Sequence, residues 1–287
     1  MMKAACGVIY LVPVPIGNLG DVTLRALETI KSATLIACED TRKTAFLLNH
    51  YQIPIPKLIS FHKFNERQRE ALLFAHLESG NDLVVVSDAG SPGISDPCES
   101  LVQLAIQKGI KVIALPGASA LIPAISTSGM RAQQFQFVGF LPADNAKRKL
   151  KLQEISAYQF PSIIYESPHR LLDCIKELLE YCGNRRIAIS REISKLHEEH
   201  IYSTLEELVN DDEITLKGEF AIVLQGCPPE DLSESFSPSD INYHIARCLK
   251  SGMGTRETSA DIALVFALSR SNAYNTVIAY LKKVAKK

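Results

Sequence analysis

The sequence lacks any long hydrophobic run, and this absence argues against a membrane-spanning helix. No uninterrupted apolar stretch approaches the ~18–20 residues that such a helix needs. Residues 1–7 run directly into a strand pattern, without the hydrophobic region and cleavage site of a signal peptide. There are seven cysteines, and most of them lie inside apolar patterns. An odd number of cysteines in such positions is typical of a protein whose thiols stay reduced. We therefore expect a cytoplasmic protein with no membrane partner.

Motifs for metals and for nucleotide phosphates are also missing. There is no Cys-x-x-Cys pair, and His197 and His200 lie in a polar segment, so no metal site is predicted. A P-loop is absent, and the first glycine-containing loop supplies only Gly17 and Gly20 of a Gly-x-Gly-x-x-Gly fingerprint. Glu39 does follow that loop by about 20 residues, where dinucleotide folds place a ribose-binding acid. Without the glycines, nicotinamide binding is disfavoured.

A strong excess of one charge is missing as well. The formal net charge is −1, which argues against a broadly basic surface that coats nucleic acid. The distribution is uneven, because residues 241–287 carry +6 and the rest of the chain carries −7. A basic terminal segment is typical of proteins that bind a polyanion. A solvated helical surface explains the same charges equally well, so the sequence leaves both interpretations open.

Length and composition predict an ordinary globular protein with more than one domain. Of its residues, 46% are hydrophobic and 22% are charged, as in an ordinary globular protein. Its length of 287 residues exceeds what one hydrophobic core usually supports. We expect an α/β domain at 1–116, a second α/β domain at 117–229, a linker rich in Pro, Ser and acidic residues at 230–240, and a small helical module at 241–287.

The first domain is predicted to be a doubly wound parallel sheet of five strands. Continuous apolar runs that alternate with helical patterns are typical of buried parallel strands. The clearest runs are Val8–Val12, Leu35–Cys38, Leu83–Val86 and Ile110–Leu115. The helical patterns are Thr23–Ser32, Glu66–Ser79 and Glu99–Lys108. Each apolar run ends in a polar loop rich in turns, and ligands of parallel sheets bind where such loops gather.

The second domain and the terminal module follow different patterns. Strand patterns at 135–141, 162–166, 187–190, 200–202 and 219–225 have some short connections, which predicts a mixed sheet. Three helical patterns follow residue 240, and the short turn between the last two allows a helix-turn-helix. A small three-helix packing module is the alternative, and the pattern does not decide between them.

The loop chemistry predicts a small-ligand cleft. Glycines and prolines in these loops, among them Pro15, Gly17 and Gly90, let the main chain approach a ligand closely. Such backbone groups suit an adenosyl group with an amino-acid tail better than a pyrophosphate. Asp88 and Asp96 lie in the same turn-rich loop and either contact a ligand or cap turns.

Seven motifs, in order, resemble those of one family. They read PIGNLGD at 15–21, EDTR at 39–42, SDAGSP at 87–92, PGASA at 116–120, GFLP at 139–142, YESPHR at 165–170 and REISK at 191–195. Each is weak alone, whereas the series resembles the ribosomal RNA small subunit methyltransferase I family. The chain departs from the family pattern at Val14, Phe64, Ser91, Gly93, Cys98 and Ser194. Phe64 replaces a second histidine, so that histidine is not expected to be essential.

This resemblance implies two α/β domains of the tetrapyrrole methylase type, with a small C-terminal helical module. It implies a homodimeric enzyme that uses S-adenosyl-L-methionine to methylate the 2′-hydroxyl of a cytidine in the decoding region of small-subunit (16S) ribosomal RNA, free or within the 30S subunit. The cofactor is expected between the two domains. Its predicted contacts are Pro15, Gly17, Asn18, Asp88, Ala89, Gly90, Ser119, Ala120 and Tyr165.

Methyl transfer to a ribose hydroxyl needs positioning and a proton acceptor. The catalytic candidates are Lys195, Glu192, Glu39 and Asp40. The RNA-binding candidates are Arg42, His62, Arg170 and Arg191. A plain ion pair between Glu192 and Lys195, and a salt bridge at each arginine, are equally open alternatives. Two other functions compete: a tetrapyrrole (precorrin-type) C-methyltransferase, and a non-catalytic nucleic-acid-binding protein.

Overall fold

The computed structural model describes residues 6–62, 65–94, 98–211, 214–228, 238–266 and 268–284. Most of the predicted linker, together with Phe64 and Asp96, lies outside these residues. Over the described ranges, no helix combines the length and the apolar character needed to cross a bilayer.

The first half of the chain alternates strands and helices. The strands are β1 (Ile9–Leu11), β2 (Leu35–Cys38), β3 (Lys57–Ser60), β4 (Leu83–Val86) and β5 (Val112–Ala114). The helices are α1 (Leu24–Ser32), α2 (Thr41–His50), α3 (Glu66–Glu78) and α4 (Glu99–Gln107). The strands pair in the order β3-β2-β4-β1-β5, and every pairing is parallel. The five-stranded parallel sheet is therefore confirmed.

Helices cover both faces of this sheet. Leu83 and Val85 belong to one buried cluster, whereas Val84 and Val86 belong to another. Because successive side chains of a strand point to opposite faces, the two clusters lie on opposite sides of β4. All four side chains are buried, which is why the strand reads as a continuous apolar run rather than an alternating one.

Helix α2 corrects the interpretation of residues 39–42 as a loop. Asp40 caps the helix, since its side chain accepts a hydrogen bond of 2.8 Å from the Arg42 amide. The helix escaped prediction because its inward face carries Thr44 beside Leu48, while Phe46 is exposed. An apolar stripe of period 3.6 is therefore not visible in the sequence.

The second half forms a mixed sheet. Its strands are β6 (Gln136–Phe140), β7 (Ser162–Glu166), β8 (Arg186–Arg191), β9 (Glu199–Thr204) and β10 (Phe220–Leu224). Its helices are α5 (Leu121–Thr127), α6 (Asn145–Ala157), α7 (Leu171–Cys182) and α8 (Leu205–Val209). The order is β6-β7-β10-β8-β9; β6 and β7 are parallel and the other pairs antiparallel. The mixed sheet is confirmed, whereas α5 had not been predicted.

One face of this second sheet packs against the first half of the chain. The buried cluster on that face includes Ile163, Ala188 and Val223. Ile16, from the loop after β1, and Ala120, from the segment after β5, pack against it. The loops at the carboxyl edge of the parallel sheet thus meet the mixed sheet, although the domain boundary at residue 116 stays a prediction.

The terminal segment folds into three helices, α9 (Pro238–Lys250), α10 (Thr255–Val265) and α11 (Arg270–Val284). They pack around five buried side chains, Ile245, Ile262, Phe266, Ala273 and Val277. The helices agree with the sequence pattern, and both interpretations of the module stay open.

Buried thiols make the stability of this fold sensitive to alkaline pH. Burial raises the pKa of Cys174, on α7, to about 12 and that of Cys182 to about 11. An unfolded thiol ionises near pH ~8.5. The stabilisation is therefore complete below that pH and is lost as the pH rises through the folded values.

We expect the unfolding free energy, measured by urea denaturation, to fall between about pH 9 and about pH 11, with each thiol contributing up to ~1.4 kcal/mol per pH unit. Cys174→Ala should lower stability at pH 7 because it leaves a cavity, but its decline at high pH should be shallower. Parallel declines for the variant and the parent would show that Cys174 does not contribute.

Candidate active site

Two adjoining cavities lie where the loops of the parallel sheet meet the mixed sheet. The first, of about 620 Å³, is bounded by the loop after β1, the start of α2 and the loop after β4. The second, of about 420 Å³, lies between those loops and the mixed sheet. Ile16 and Ala89 line both. The predicted cofactor contacts therefore divide between two cavities.

Charged side chains surround the first cavity, which Pro15 and Gly17 also line. Asp88 accepts a hydrogen bond of 2.9 Å from the Asp40 amide and forms an ion pair of 2.8 Å with Lys43. Asp88 thus ties the loop after β4 to the start of α2. Because both partners lie 45 or more positions away, these contacts are not turn capping within its own loop, and a ligand contact by Asp88 stays a prediction. Hydrogen bonding and attraction to Asp88 also raise the pKa of Lys43.

Arg42 forms a two-point contact with Asp40 at the same cavity. Its Nη2 lies 2.7 Å from one Asp40 carboxylate oxygen and its Nε lies 3.1 Å from the other. The hydrogen bond from the Arg42 side chain, aided by its amide, holds the pKa of Asp40 well below the ordinary value. Asp40 is therefore an ionised group with little tendency to accept a proton. The Arg42 side chain is 89% exposed, so its guanidinium faces solvent.

The second cavity is lined by small residues together with aromatic and aliphatic side chains. Gly90, Ser119 and Ala120 line one side, and Tyr165 lines the other. Edge-on contacts with Phe137 and Phe140, at 5.0 and 5.8 Å between ring centroids, hold the Tyr165 ring. Such a cleft, with few side-chain charges, suits a neutral or zwitterionic small molecule.

Glu166 is a buried acid in the lining of this cavity. Its side chain is fully buried, and its Oε1 accepts a hydrogen bond of 2.9 Å from the Ser167 amide. Its Oε2 lies 3.9 Å from Arg148 Nη1 and has no hydrogen-bond partner in the described part of the chain. A buried acceptor without a donor is costly unless a ligand or water supplies one.

Lys195, Glu192 and Glu219 form an ion cluster beside both cavities. Lys195 Nζ lies 2.8 Å from Glu192 Oε1 and 3.1 Å from Glu219 Oε2. Glu192 Oε1 also accepts a hydrogen bond of 2.9 Å from the Glu219 amide. The open alternative of an ion pair between Glu192 and Lys195 is thus what the structure contains, with Glu219 as an additional partner.

The cluster depends on two close approaches of backbone. A Cβ at Gly17, in the first cavity's loop, would lie 2.3 Å from Lys195 Cγ. A Cβ at Gly218 would lie 2.4 Å from Glu192 Cγ. Both glycines have positive φ, at +155° and +91°. Ser194 donates a hydrogen bond to the Asp21 carboxylate in the same region, so the 192–195 loop is joined directly to the loop after β1.

The protonation states of the pair follow from this geometry. Partial burial acts to lower the pKa of Lys195, but the hydrogen bonds and charges of Glu192 and Glu219 outweigh it and raise that pKa. Partial burial acts to raise the pKa of Glu192, and Lys195 with the Glu219 amide outweighs it and lowers that pKa. At neutral pH Lys195 is therefore a cation and Glu192 a carboxylate.

Two of the predicted RNA-binding residues, Arg170 and Arg191, form contacts outside the ion cluster. Arg170 donates a hydrogen bond of 2.8 Å to the Leu141 carbonyl oxygen and lies 3.5 Å from Glu166. Arg191 forms a cross-strand ion pair of 2.8 Å with Glu199 and is only 14% exposed. Both arginines therefore form structural salt bridges, which was the alternative to RNA binding considered from the sequence.

Three further candidates have local roles. Asn18 caps a short 3-10 helix, since its side chain accepts a hydrogen bond of 2.9 Å from the Gly20 amide. His62 Nε2 lies 3.2 Å from Asn65 Nδ2. Glu39 is half-buried at the end of β2, directly before Asp40.

Sequence reasoning missed Lys43 and Glu219. Lys43 follows the EDTR motif and reaches Asp88, which lies 45 positions away in the chain. Glu219 comes immediately before β10 and reaches Lys195 across 24 positions. Neither pairing has a local signature. In the sequence, these two residues are marked only by position: Lys43 follows a motif, and Glu219 stands at the end of a predicted strand.

Comparisons with known proteins agree on the family. The family described as Tetrapyrrole (Corrin/Porphyrin) Methylases matches residues 8–209. The chain is 42% identical over 275 residues to a Ribosomal RNA small subunit methyltransferase I of Halalkalibacterium halodurans, covering 94% of each chain. It is 41% identical to that of Synechocystis sp., covering 93% of this chain and 96% of the relative.

Solved structures share the fold at lower identity. Uroporphyrin III C-methyl transferase from Thermus thermophilus matches with a TM-score of 0.54 and 20% identity, covering 76% of this chain and 97% of that one. A diphthine synthase matches with a TM-score of 0.57 and 12% identity, covering 76% and 90%. These structures show the fold alone, whereas the relatives at 41–42% identity and the family match over residues 8–209 show that the chain belongs to the ribosomal RNA small subunit methyltransferase I family of tetrapyrrole methylases.

Proposed function

We propose that this protein is an S-adenosylmethionine-dependent methyltransferase that methylates the 2′-hydroxyl of a cytidine in the decoding region of small-subunit ribosomal RNA. The observation that carries the proposal is the meeting of two unlike cavities at Ile16 and Ala89. The first has both cations and carboxylates in its lining, whereas the second has no cation among its lining residues. Methyl transfer needs a donor and an acceptor held side by side in line. The relatives named for ribosomal RNA methylation support the choice of substrate.

The second cavity has the properties that the cofactor requires. Its volume of about 420 Å³ is within the range of small-molecule sites. S-Adenosylmethionine supplies an electrophilic methyl group when bound. Ala89, Gly90, Ser119, Ala120 and Tyr165 would hold it here. The other predicted cofactor contacts lie outside this cavity: Pro15, Gly17 and Asp88 line the first cavity, and Asn18 lines neither.

The first cavity is assigned to RNA. Arg42 supports this assignment because its guanidinium is planar, exposed and suited to two phosphate oxygens. Lys43 adds a second cation at 64% exposure. Of the remaining RNA-binding candidates, His62 would act at the carboxyl edge of β3, while Arg170 and Arg191 would first have to leave their carboxylate partners.

The ion cluster is assigned to the reacting hydroxyl. A protonated Lys195 cannot accept a proton, so its role is to position the ribose oxygen and to stabilise the negative charge that develops on it. Proton acceptance is assigned first to Glu192, which is ionised and lies against Gly218 of the second cavity's lining. Glu39 is the next candidate, whereas the contact with Arg42 makes Asp40 the poorest acceptor.

A tetrapyrrole substrate is the weaker candidate. The tetrapyrrole methyltransferase structures are 20% identical to the chain or less, and identity this low shows a shared fold but not a shared substrate. The cytoplasmic location, the homodimer and the 30S subunit as a partner are proposed on the family resemblance.

Incubation with labelled S-adenosylmethionine tests the proposal. Undermethylated small subunits and free small-subunit RNA serve as parallel acceptors, and the modified nucleotide is mapped. We expect label at one cytidine 2′-oxygen in the decoding region. Label on a base, or on a tetrapyrrole offered in its place, would contradict the assignment.

Lys195→Met and Glu219→Gln should separate turnover from cofactor binding. We expect Lys195→Met to lower kcat by about 10²–10³-fold, as loss of a group that stabilises a developing negative charge does. Glu219→Gln should lower kcat by about tenfold, because it removes one of the two charged hydrogen bonds that orient the ammonium. The affinity for S-adenosylmethionine, measured by calorimetry, should change little in either variant.

Lys151→Met is the matched control, since Lys151 forms the same i,i+3 ion pair with Glu154 on the surface of α6. Thermal melts accompany each assay. Normal turnover by Lys195→Met would refute the assignment. A loss of turnover matched by a lowered melting temperature would make the cluster structural.

A further inference from the structure

Helices α9 and α10 bring together three side chains that the proposed reaction does not use. His244 and Cys248 lie on α9 and Asp261 lies on α10. His244 Nε2 is 2.6 Å from Asp261 Oδ2, and Cys248 Sγ is 3.4 Å from the same oxygen. All three potential ligand atoms lie within 4.8 Å of one another.

The helices fix this arrangement. Residues four apart on a helix share a face, so His244 and Cys248 point in the same direction. Ile245 and Ile262, next to His244 and Asp261 in the chain, are fully buried in the core between the helices. The His244 ring packs edge-on against Phe266 at 5.2 Å between ring centroids. The three ligand atoms therefore converge without rearrangement of the backbone.

We propose that His244, Cys248 and Asp261 bind a divalent transition-metal ion of the Zn²⁺ class. An imidazole nitrogen, a thiolate and a carboxylate form a donor set that suits zinc, whereas Mg²⁺ and Ca²⁺ prefer oxygen ligands alone. Tetrahedral zinc with bonds of about 2.0–2.3 Å places its ligand atoms about 3.3–3.8 Å apart. The observed separations of 2.6–4.8 Å bracket that range.

Binding has a simple proton balance. The metal takes the place of the proton between His244 Nε2 and Asp261, that proton moves to Nδ1 of the same neutral imidazole, and Cys248 loses its thiol proton to solvent. Three protein ligands leave a fourth position for water. One helical turn before Asp261, the Thr258 hydroxyl is fully buried and has no hydrogen-bond partner among the described residues. The same face of α10 thus carries an unsatisfied hydroxyl, at Thr258, as well as the metal-ligating carboxylate of Asp261.

The size of the module gives the metal a structural role. The core that the described helices α9–α11 share contains just five buried side chains, of which four are fully buried. Domains this small often need a metal or a disulfide, because their cores bury little surface. A metal shared by α9 and α10 would join these two helices directly.

Cobalt substitution tests the site on the untagged full-length chain. We add Co²⁺ to reduced, metal-free protein and record the thiolate-to-cobalt charge-transfer absorption, then displace the ion with Zn²⁺. We expect one equivalent to bind with this absorption. Cys248→Ser should abolish it, and Asp261→Asn should weaken Co²⁺ binding by at least about tenfold.

Cys6→Ser is the control, because Cys6 is the exposed cysteine of the described chain and should not affect the signal. Zn²⁺ should also raise the melting temperature of the parent chain but not that of Cys248→Ser. A parent chain without the charge-transfer band, or an unchanged band in Cys248→Ser, would overturn the proposal.

Discussion

The positive charge of Lys195 lies at the point where the two sheets of the molecule meet. Its carboxylate partners, Glu192 and Glu219, belong to the mixed sheet and its adjoining loops, while its hydrocarbon stem lies against Gly17 of the parallel sheet. Removing either carboxylate leaves a partly buried ammonium less well compensated. The cavities on both sides of this cluster therefore depend on one set of contacts.

This arrangement explains how one cleft can serve two kinds of ligand. Main-chain groups of Gly90 and Ala120 suit a small molecule whose recognition rests on shape and hydrogen bonding. Arg42 and Lys43 suit a polyanion, since both cations are exposed and already oriented by Asp40 and Asp88. Charges fixed before the substrate arrives need little reorganisation during the reaction, which is the physical basis of electrostatic catalysis.

Sequence patterns predicted those parts of the fold that rest on local periodicity. Strands such as Leu83–Val86 were recognisable because buried parallel strands are continuous apolar runs. Helix α2 was missed because Thr44 occupies its buried face, and α5 because Pro123 lies inside a short helix.

The site was predicted only in part. Loops such as that at Gly90 could be found from their turn residues, but Lys43 with Asp88 and Lys195 with Glu219 are pairings across the fold. The ligand set of His244, Cys248 and Asp261 escaped the search for Cys-x-x-Cys because its third member lies on the next helix.

Gly17 is needed at its position because the Lys195 stem occupies the space that a Cβ would take. A double-mutant cycle of Gly17→Ala and Lys195→Ala, read as urea unfolding free energy, tests it most directly, with Gly20→Ala as the control in the same loop. Backbone strain at residue 17 is common to both backgrounds and cancels in the cycle. The account predicts that Gly17→Ala is less destabilising by about 1 kcal/mol or more once the Lys195 stem is removed, whereas Gly20→Ala is additive. Additivity for Gly17 as well, within ~0.5 kcal/mol, would contradict it.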